Sequence, residues 1–584
     1  MLKANYYCEP TELDIQIFEK LVPTNHYLRQ VKAAINFERL REKVKNCYSP
    51  NMGRPAEDPV IMIKLEFLQF QYNLSDREII TQAQVNIAFR YFLDLSLDSQ
   101  LPVPSVLAQF RTRLGVERHQ ALFDDVVAQA RQHGLIKDKL RLKDATHIIA
   151  NIAVPSTLAL IAQVRENLLK SAKPFAPTKV IEHQAKAYQI RINTNDLKDQ
   201  ERLQHRVNHL REIISWADEL QNSLASVAKE LDGAKQQFDQ ALAVAHQVLA
   251  DREKPQEGDK LVSIVDQDAR QGKHGDYYDG YMLDIAIDAD SELITALDIL
   301  PANADEAANA ENLIRAEESA HGNNIEQLSM DGVAFRGDIL HSLSDEAGLG
   351  LIVFVPPHSH QKEETYFTSS DFHFDESGKI LICPGQAQAI HKVRSYNGTG
   401  WQYRFSRTAC RQCPLLNRCM SHLPEKNGRS VIKNDYEADY KAARERAKTV
   451  RYAEVRKLHP RIERKFANIM RYHNGRRTRY RGSNRVKIQY FVTAMVINIK
   501  RMVRQLSLAT YYFFINSIKP FSLYWNYFLS SLSRGNAWVR ARTPLRRPSS
   551  RKVRAMSLSL QAGHTTPVRR WPPSLRAVAR RPWC

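Results

Sequence analysis

The chain has 584 residues, which is too long for one ordinary domain and predicts three or four. A hydrophobic content of 43% and a charged content of 25% are typical of a soluble globular protein. The net charge is +20, but the 121 residues after Glu463 contain 26 lysines and arginines and no acidic residue, so the rest carries −6. This placement predicts a polyanionic partner for the C-terminal part, with DNA the first candidate.

Secreted and membrane proteins are disfavoured. The N-terminus MLKANYYCEP has no apolar core of a signal peptide. The longest uncharged run, Gln505–Ile518, is shorter than the roughly 18 residues of a spanning helix. Four of the seven cysteines cluster, which argues against a secreted disulfide framework. We expect a cytoplasmic, nucleoid-associated protein without a membrane segment.

Residues 1–135 are predicted to be helical. Apolar residues recur at helical spacing around residues 37–44 and 59–70. Asp58 is placed to cap a helix that Pro59 opens, and Ser75 is placed to cap the next one. Short helices joined by tight turns favour a DNA-binding domain of helix-turn-helix type, although a plain helical domain gives the same pattern.

Residues 138–152 change to the alternation of a strand. Four apolar or small residues and one acid share one face of that strand: Leu140, Leu142, Asp144, Thr146 and Ile148. A carboxylate on such a face is costly unless it is paired, hydrogen-bonded or bound to a metal ion. This cost makes Asp144 a candidate functional residue.

Residues 155–255 are predicted to form a helical insert. Apolar residues from Leu203 to Val248 follow four-three spacing, with one three-three step at Ala217–Leu220. That is a heptad seam with a stammer, which suits either an intermolecular coiled coil or an intramolecular helical hairpin. Gly233 weakens the case for one unbroken rod.

Residues 258–360 return to alternating strands and helices. A hairpin is predicted from Tyr281–Asp288 and Leu293–Leu300, then a helix over Ala304–Ala320. The strand-like stretch Ile325–Met330 leads to Asp331, and 348–357 is a buried strand that ends in prolines. This order predicts an α/β fold, a mixed sheet with helices on its faces, interrupted by the helical insert and preceded by the all-α domain.

Residues 440–505 contain a basic helix that carries Glu463. Ile462, Phe466 and Ile469 form its packing stripe at i, i+4 and i+7. Glu463 flanks this stripe and can point into a cleft at the sheet edge. Eight cations on and after this helix are predicted to contact DNA phosphates: Arg461, Arg464, Lys465, Arg471, Arg476, Arg477, Arg479 and Arg481.

Residues 375–425 form a cysteine-rich segment. Cys410 and Cys413 have the C-x₂-C spacing of a metal-ligand pair, and Cys383 and Cys419 flank them. Four thiolates suit a tetrahedral structural Zn²⁺ site, in which His422 could replace one thiolate. Four reduced cysteines without a ligand are the alternative.

Several segments together resemble the DDE transposases of bacterial insertion sequences. They are KDATHIIAN at 143–151, the hairpin at 265–306, MDGVAFRGD at 330–338, IERKFANIMRYHNGRRTRYRG at 462–482 and the N-terminal stretch that begins GRPAEDPV. The resemblance implies a ribonuclease H-like catalytic domain that holds two Mg²⁺ (or Mn²⁺) ions on Asp144, Asp331 and Glu463. It also implies that a homodimer binds the element's terminal inverted repeats, cleaves DNA strands and transfers 3′ ends to target DNA.

Alternatives remain open at this stage. The rival acids are Asp266, Asp268, Asp338 and Glu454, and Asp331-Gly332 is also a turn signal. Some relatives place an Arg before the Glu and a Lys seven residues after it. Here Met470 occupies the latter position, so Lys465 or Arg471 would have to substitute.

A nuclease of the same fold without strand transfer, or an inactive DNA-binding remnant, would share these features. The basic 535–584 tail is expected to be disordered.

Overall fold

The computed structural model describes residues 9–224, 232–253, 260–346, 348–357, 366–396 and 398–507. The 535–584 tail and the end of the Gln505–Ile518 run lie outside these ranges. Within them, no helix is both long and apolar enough to cross a membrane.

The N-terminal region is helical, as the sequence predicts, with seven α-helices among the residues described from position 9 on. The Asp58 carboxylate accepts a hydrogen bond of 2.7 Å from the Val60 N–H, and Ser75 forms a capping box with Glu78. The last helix is kinked at Gly115, whose φ of 64° and ψ of −169° suit glycine alone. The helices are α1 (Glu12–Leu21), α2 (Tyr27–Ala34), α3 (Phe37–Val44), α4 (Pro59–Gln71), α5 (Asp76–Val85), α6 (Ile87–Leu93) and α7 (Pro104–Gln132).

The first strand and the helical insert follow. The seam residues from Leu203 to Leu224 and from Phe238 to Val248 pack against one another and against the first helix of the insert, in an apolar core of their own. The seam positions Val227 and Leu231 lie outside the described residues. The described structure therefore uses the heptad seam intramolecularly, as the hairpin alternative predicts, and dimerisation stays a prediction. The elements are β1 (Leu140–Ile149), α8 (Thr157–Ala172), α9 (Pro177–Asn193), α10 (Asp199–Ser223) and α11 (Asp232–Glu253).

A mixed sheet of six strands forms the centre of the α/β part. β1 is antiparallel to β3 and parallel to β5, and the strand order is β2-β3-β1-β5-β6, with β4 also paired to β3. The predicted hairpin is confirmed as β3 and β4. The elements are β2 (Arg270–His274), β3 (Asp276–Asp288), β4 (Ile294–Pro301), α12 (Ala310–His321), β5 (Gln327–Ser329), α13 (Gly337–Ser344) and β6 (Ile352–Phe354).

The helix predicted over Ala304–Ala320 begins six residues later, so that boundary is wrong. The Asp305 side chain accepts hydrogen bonds from the N–H groups of Ala307 and Ala308, at 3.0 and 3.3 Å. This local bonding competes with the helix and holds residues 304–309 in turns. Those turns lie beside the sheet and carry Glu306.

The rest of the described chain forms a small cysteine-rich unit and then helices. Phe372, Leu381, Tyr403 and Phe405 are buried in a core that belongs to this unit. A further helix spans 483–507 and packs in the main core with the N-terminal helices. The named elements are β7 (His373–Phe374), β8 (Leu381–Ile382), β9 (Ala389–Arg394), β10 (Trp401–Phe405), α14 (Arg407–Arg411), α15 (Leu416–Cys419), β11 (Ser430–Lys433), α16 (Glu437–Ala447), α17 (Val450–Leu458) and α18 (Pro460–Tyr472).

Candidate active site

Asp144 lies on β1, and Asp331 lies two residues beyond the end of β5, the parallel neighbour of β1. Leu142 of β1 is in register with Ser329 of β5, and each aspartate comes two residues later. Neighbouring strands are about 4.8 Å apart, so the two carboxylates lie close together. Asp331 also accepts a 3.2 Å hydrogen bond from the Val333 N–H and so caps a short turn. It is therefore both a turn residue and a neighbour of Asp144.

The electrostatics of Asp144 reflect this crowding. Its pKa is raised to about 7, chiefly by burial and also by the negative charges of Asp331 and Glu306, against a backbone hydrogen bond from Ala145. Burial and the charge of Asp331 likewise raise the pKa of Glu306. Glu306 is a third carboxylate here that sequence reasoning missed, because the predicted helix gave it no distinct place. The acidic pair Asp305-Glu306 soon after a strand was the only available signal.

Lys143, the cation next to Asp144 in the sequence, contacts other groups. The Lys143 ammonium is buried on the other face of β1, 3.1 Å from Asp284 and 2.5 Å from the Glu306 carbonyl oxygen. Burial and the neighbouring carboxylates raise the pKa of Asp144 and of Glu306, whereas the Lys143 charge still lowers both. Hard divalent cations prefer such oxygen donors. The donor chemistry fits a divalent cation, although no three His, Cys, Asp or Glu side chains in the described ranges are already arranged as a metal-binding group.

Helix α18 carries Glu463 past this pair of strands. His459, at the start of α18, has its Nδ1 3.1 Å from the Ser329 Oγ, and the Arg456 guanidinium donates to the Met330 carbonyl at 2.7 Å. Beyond the helix, the Ile149 N–H donates to the Arg476 carbonyl at 2.9 Å. The helix therefore runs along β1 in the same direction.

The position of Glu463 along the direction of β1 follows from the contacts of His459 and Arg476. It comes four residues after His459, which is about 6 Å along a helix. The two aspartates come two residues after the Leu142–Ser329 pair, which is about 6.6 Å along a strand. Glu463 is exposed and flanks the buried stripe of Ile462, Phe466 and Ile469, as the helical pattern predicts. No ion pair engages its carboxylate in the described part of the chain.

The rival acids have other partners. Asp266 is buried, where it accepts hydrogen bonds from the Tyr281 hydroxyl and from the Gly482 N–H. Asp268 accepts a hydrogen bond of 2.8 Å from the Ser483 N–H. Both acids hold the start of the 483–507 helix against the sheet. The other two rivals form exposed ion pairs, Asp338 with Arg336 and Glu454 with Arg451.

The eight predicted phosphate contacts divide into two groups. Three are engaged within the protein. Lys465 is only 7% exposed, and burial lowers its pKa to about 8. Arg461 donates to the Ala289 carbonyl, while Arg479 donates to the Leu74 carbonyl at 2.9 Å and lies over the Phe70 ring. The other five are exposed: Arg464, Arg471, Arg476, Arg477 and Arg481. Of these, Arg476 also donates to the His147 carbonyl at 3.0 Å and Arg481 to the Asn151 carbonyl at 2.9 Å.

The four predicted zinc ligands line one cavity of about 330 Å³. The Cys383 Sγ accepts the Ala387 N–H at 3.3 Å, and the Cys410 Sγ accepts the Arg429 N–H at 3.4 Å. A Cβ on Gly385 would lie 2.8 Å from the Cys413 Sγ, so glycine permits this approach. Four thiols on one cavity have the donor chemistry that Zn²⁺ requires, although no three of them are already arranged as a metal-binding group in the described ranges.

Two family models match the chain. Residues 16–113 match a transposase domain (DUF772), and residues 382–503 match a transposase DDE domain. The second range contains Glu463 and the four clustered cysteines, whereas Asp144 and Asp331 lie outside both ranges. No curated protein and no solved structure matches the chain. Both matching descriptions name transposase domains, which confirms the resemblance found in the sequence.

Proposed function

We propose that this protein, an insertion-sequence transposase of the DDE type by its two matching domains, cuts DNA at the ends of its element and joins the 3′ ends to target DNA. One observation carries the proposal. Asp144 on β1 and Asp331 just past the end of the parallel strand β5 each come two residues after the Leu142–Ser329 register pair, and the helix that bears Glu463 is anchored to β5 at Ser329. The three acids are our proposed metal ligands.

The strand order supports a ribonuclease H-like catalytic domain. Three antiparallel strands, β4, β3 and β1, are followed in space by β5 and β6, which are parallel to β1. The proposed ligands come from the central strand, its parallel neighbour and a helix near the end of the domain. The helical insert separates β1 from the rest of the sheet in sequence, but β1 still pairs with β3 over nine register positions, from Arg141 to Ile149.

The chain's own groups have distinct parts in this chemistry. Asp144 must lose its proton to act as a ligand, and its pKa of about 7 makes that step depend on pH near neutrality. Bound Mg²⁺ or Mn²⁺ would supply activation of a water or 3′-hydroxyl and stabilisation of the leaving oxygen. Arg456 positions the strand end before Asp331 through its bond to the Met330 carbonyl.

DNA would reach this site along a positively charged approach. Five arginines from Arg464 to Arg481 are exposed along α18 and the segment after it. Arg476 and Arg481 also donate to the carbonyls of His147 and Asn151, but a guanidinium has five N–H donors, so donors remain that can neutralise phosphates. The helical N-terminal region, which matches a transposase domain, is our candidate for recognition of the element ends. Zn²⁺ held by Cys383, Cys410, Cys413 and Cys419 would brace the unit that precedes the Glu463 helix.

Cleavage and joining assays test the proposal. The substrate is DNA that carries the element's own ends, with Mg²⁺, and the variants are Asp144→Ala, Asp331→Ala and Glu463→Ala. We expect all three to bind DNA and to cut it at least 1,000-fold more slowly, since removal of one metal ligand disrupts the whole site. Asp338→Ala and Glu454→Ala are matched controls, exposed acids that should leave activity intact.

Other outcomes identify the alternatives. Cleavage without joined products would favour a nuclease that lacks strand transfer. A wild type that binds the ends but never cuts them would be an inactive remnant. Normal activity in the Asp144, Asp331 or Glu463 variant would show that this acid was wrongly assigned, and Glu306 would become the next residue to substitute.

A further inference from the structure

The helical insert contains an open basic cavity that the proposed active site does not use. It lies between α8, α9 and α10 and has a volume of about 730 Å³. One acid, Glu166, lines it together with five cations: Arg165, Lys170, Lys173, Arg191 and Arg206. The Glu166 carboxylate pairs with its sequence neighbour Arg165 at 3.3 Å. The cavity therefore concentrates positive charge.

Three of the five cavity cations lack the carboxylate partners that other cations of the insert have in the described ranges. Arg206 donates to the Leu158 carbonyl at 2.9 Å, and its pKa is lowered by burial and then by the charges of Arg202, Arg165 and Arg191. Lys170, Lys173 and Arg191 are exposed, and no carboxylate in the described ranges pairs with them.

Elsewhere on the same insert, cations are neutralised. Lys179 pairs with Glu182 at 2.6 Å, Lys186 pairs with Glu212, and Arg211 pairs with Glu253 at 2.9 Å. Like charges held together cost free energy unless an anion joins them. In the described ranges the cavity holds three cations without carboxylate partners, whereas Lys179, Lys186 and Arg211 are paired. This difference indicates that the cavity binds an anionic ligand rather than only making the surface soluble.

We propose that this cavity binds the phosphate backbone of DNA, which makes the helical insert a second DNA-contacting surface. The inference rests on the proposed function, because that function supplies the polyanion. Arginine and lysine side chains around one opening suit phosphodiester groups. The insert also starts beside the basic segment after α18, since the Arg481 guanidinium donates to the Asn151 carbonyl at 2.9 Å. A strand that contacts this segment would pass the root of the insert.

Two matched triple variants of the full chain test this inference. The cavity variant carries Lys170→Gln, Lys173→Gln and Arg191→Gln. The control carries Lys179→Gln, Lys186→Gln and Arg211→Gln, which removes the same charge from the same insert. All six side chains are exposed, so both variants should fold, as circular dichroism and thermal melting would verify.

Binding to a long fluorescent duplex is then measured over a range of NaCl concentrations, with a chelator to prevent cleavage. Each phosphate contact contributes about 0.9 to the slope of log K against log salt. We expect the slope of the cavity variant to fall by about 2 to 3 and that of the control by less than about 1. Equal slopes in wild type and cavity variant, or equal losses in both variants, would overturn the inference.

Two further readouts separate the inference from the function on which it rests. If wild type cleaves element ends while the cavity variant keeps the wild-type slope, the proposed function stands and the inference fails. If the slope falls only in the cavity variant but no protein ever cleaves, the inference stands and the proposed activity fails. Inorganic phosphate at matched ionic strength that raises the melting temperature of wild type alone, with unchanged DNA slopes, would show a small-anion site and overturn the DNA assignment.

Discussion

The substitution Asp144→Asn measures what it costs to hold a charge at the centre of the candidate site. Folding moves the pKa of Asp144 from 3.8 to about 7, chiefly through burial. Each pKa unit corresponds to about 1.36 kcal/mol, so about three units amount to about 4 kcal/mol of folding free energy, as an order of magnitude. Asparagine keeps the size of the side chain and an oxygen for the Ala145 N–H, but it has no charge.

The stability of the protein depends on pH because the pKa of Asp144 is higher in the folded state than in the unfolded state. The folded wild type holds its proton up to about pH 7, whereas the unfolded chain releases it near pH 4. Wild type therefore loses stability as pH rises from about 4 to about 7, and the loss is complete above about pH 8. The variant lacks this loss, so its advantage should grow from about 2 kcal/mol near pH 5 to about 4 kcal/mol near pH 8.

Chemical unfolding of metal-free protein at several pH values measures this difference. Asp196→Asn, at an exposed position, is the control and should follow wild type. Addition of Mg²⁺ near pH 8 should then stabilise wild type, by about 2.7 kcal/mol at a hundredfold excess over Kd, and should stabilise Asp144→Asn much less. An advantage that is absent near pH 8, or that shrinks as pH rises, would refute the proposed burial of negative charge at this site.

The remaining predictions concern two supporting contacts. Arg456→Gln should lower kcat for cleavage by about tenfold or more with little change in DNA affinity, because the bond that holds the Met330 carbonyl is lost next to Asp331; an equal loss of affinity and a normal kcat would contradict this positioning role. Gly385→Ala should lower the zinc content of purified protein, measured by elemental analysis, because its Cβ would lie 2.8 Å from the Cys413 Sγ. Lys379→Ala, at an exposed position of the same unit that does not line the cysteine cavity, is the control, and equal zinc in both variants would count against the site.

Local sequence signals predicted much of the fold because they act within a few residues. Asp58 and Ser75 mark helix starts through their own side-chain hydrogen bonds, and both caps are present. Alternation identified β1 and the β3–β4 hairpin, and helical spacing identified the buried stripe beside Glu463. Local bonding also explains the failure at α12, where Asp305 favours turns over the first six residues of the predicted helix.

The candidate site depends on contacts between distant segments, which local patterns describe only in part. The sequence by itself determined that Asp144 interrupts an apolar strand face, that Asp331 and Glu463 lie in segments that resemble those of the DDE transposases, and that Cys410 and Cys413 have ligand spacing. Only the tertiary structure decided that Asp144 and Asp331 share one level of the sheet and that Glu306 adds its charge beside them. The physical reason is that register and burial arise from pairing between strands and packing between helices, whereas periodicity and capping report only on a residue's immediate neighbours.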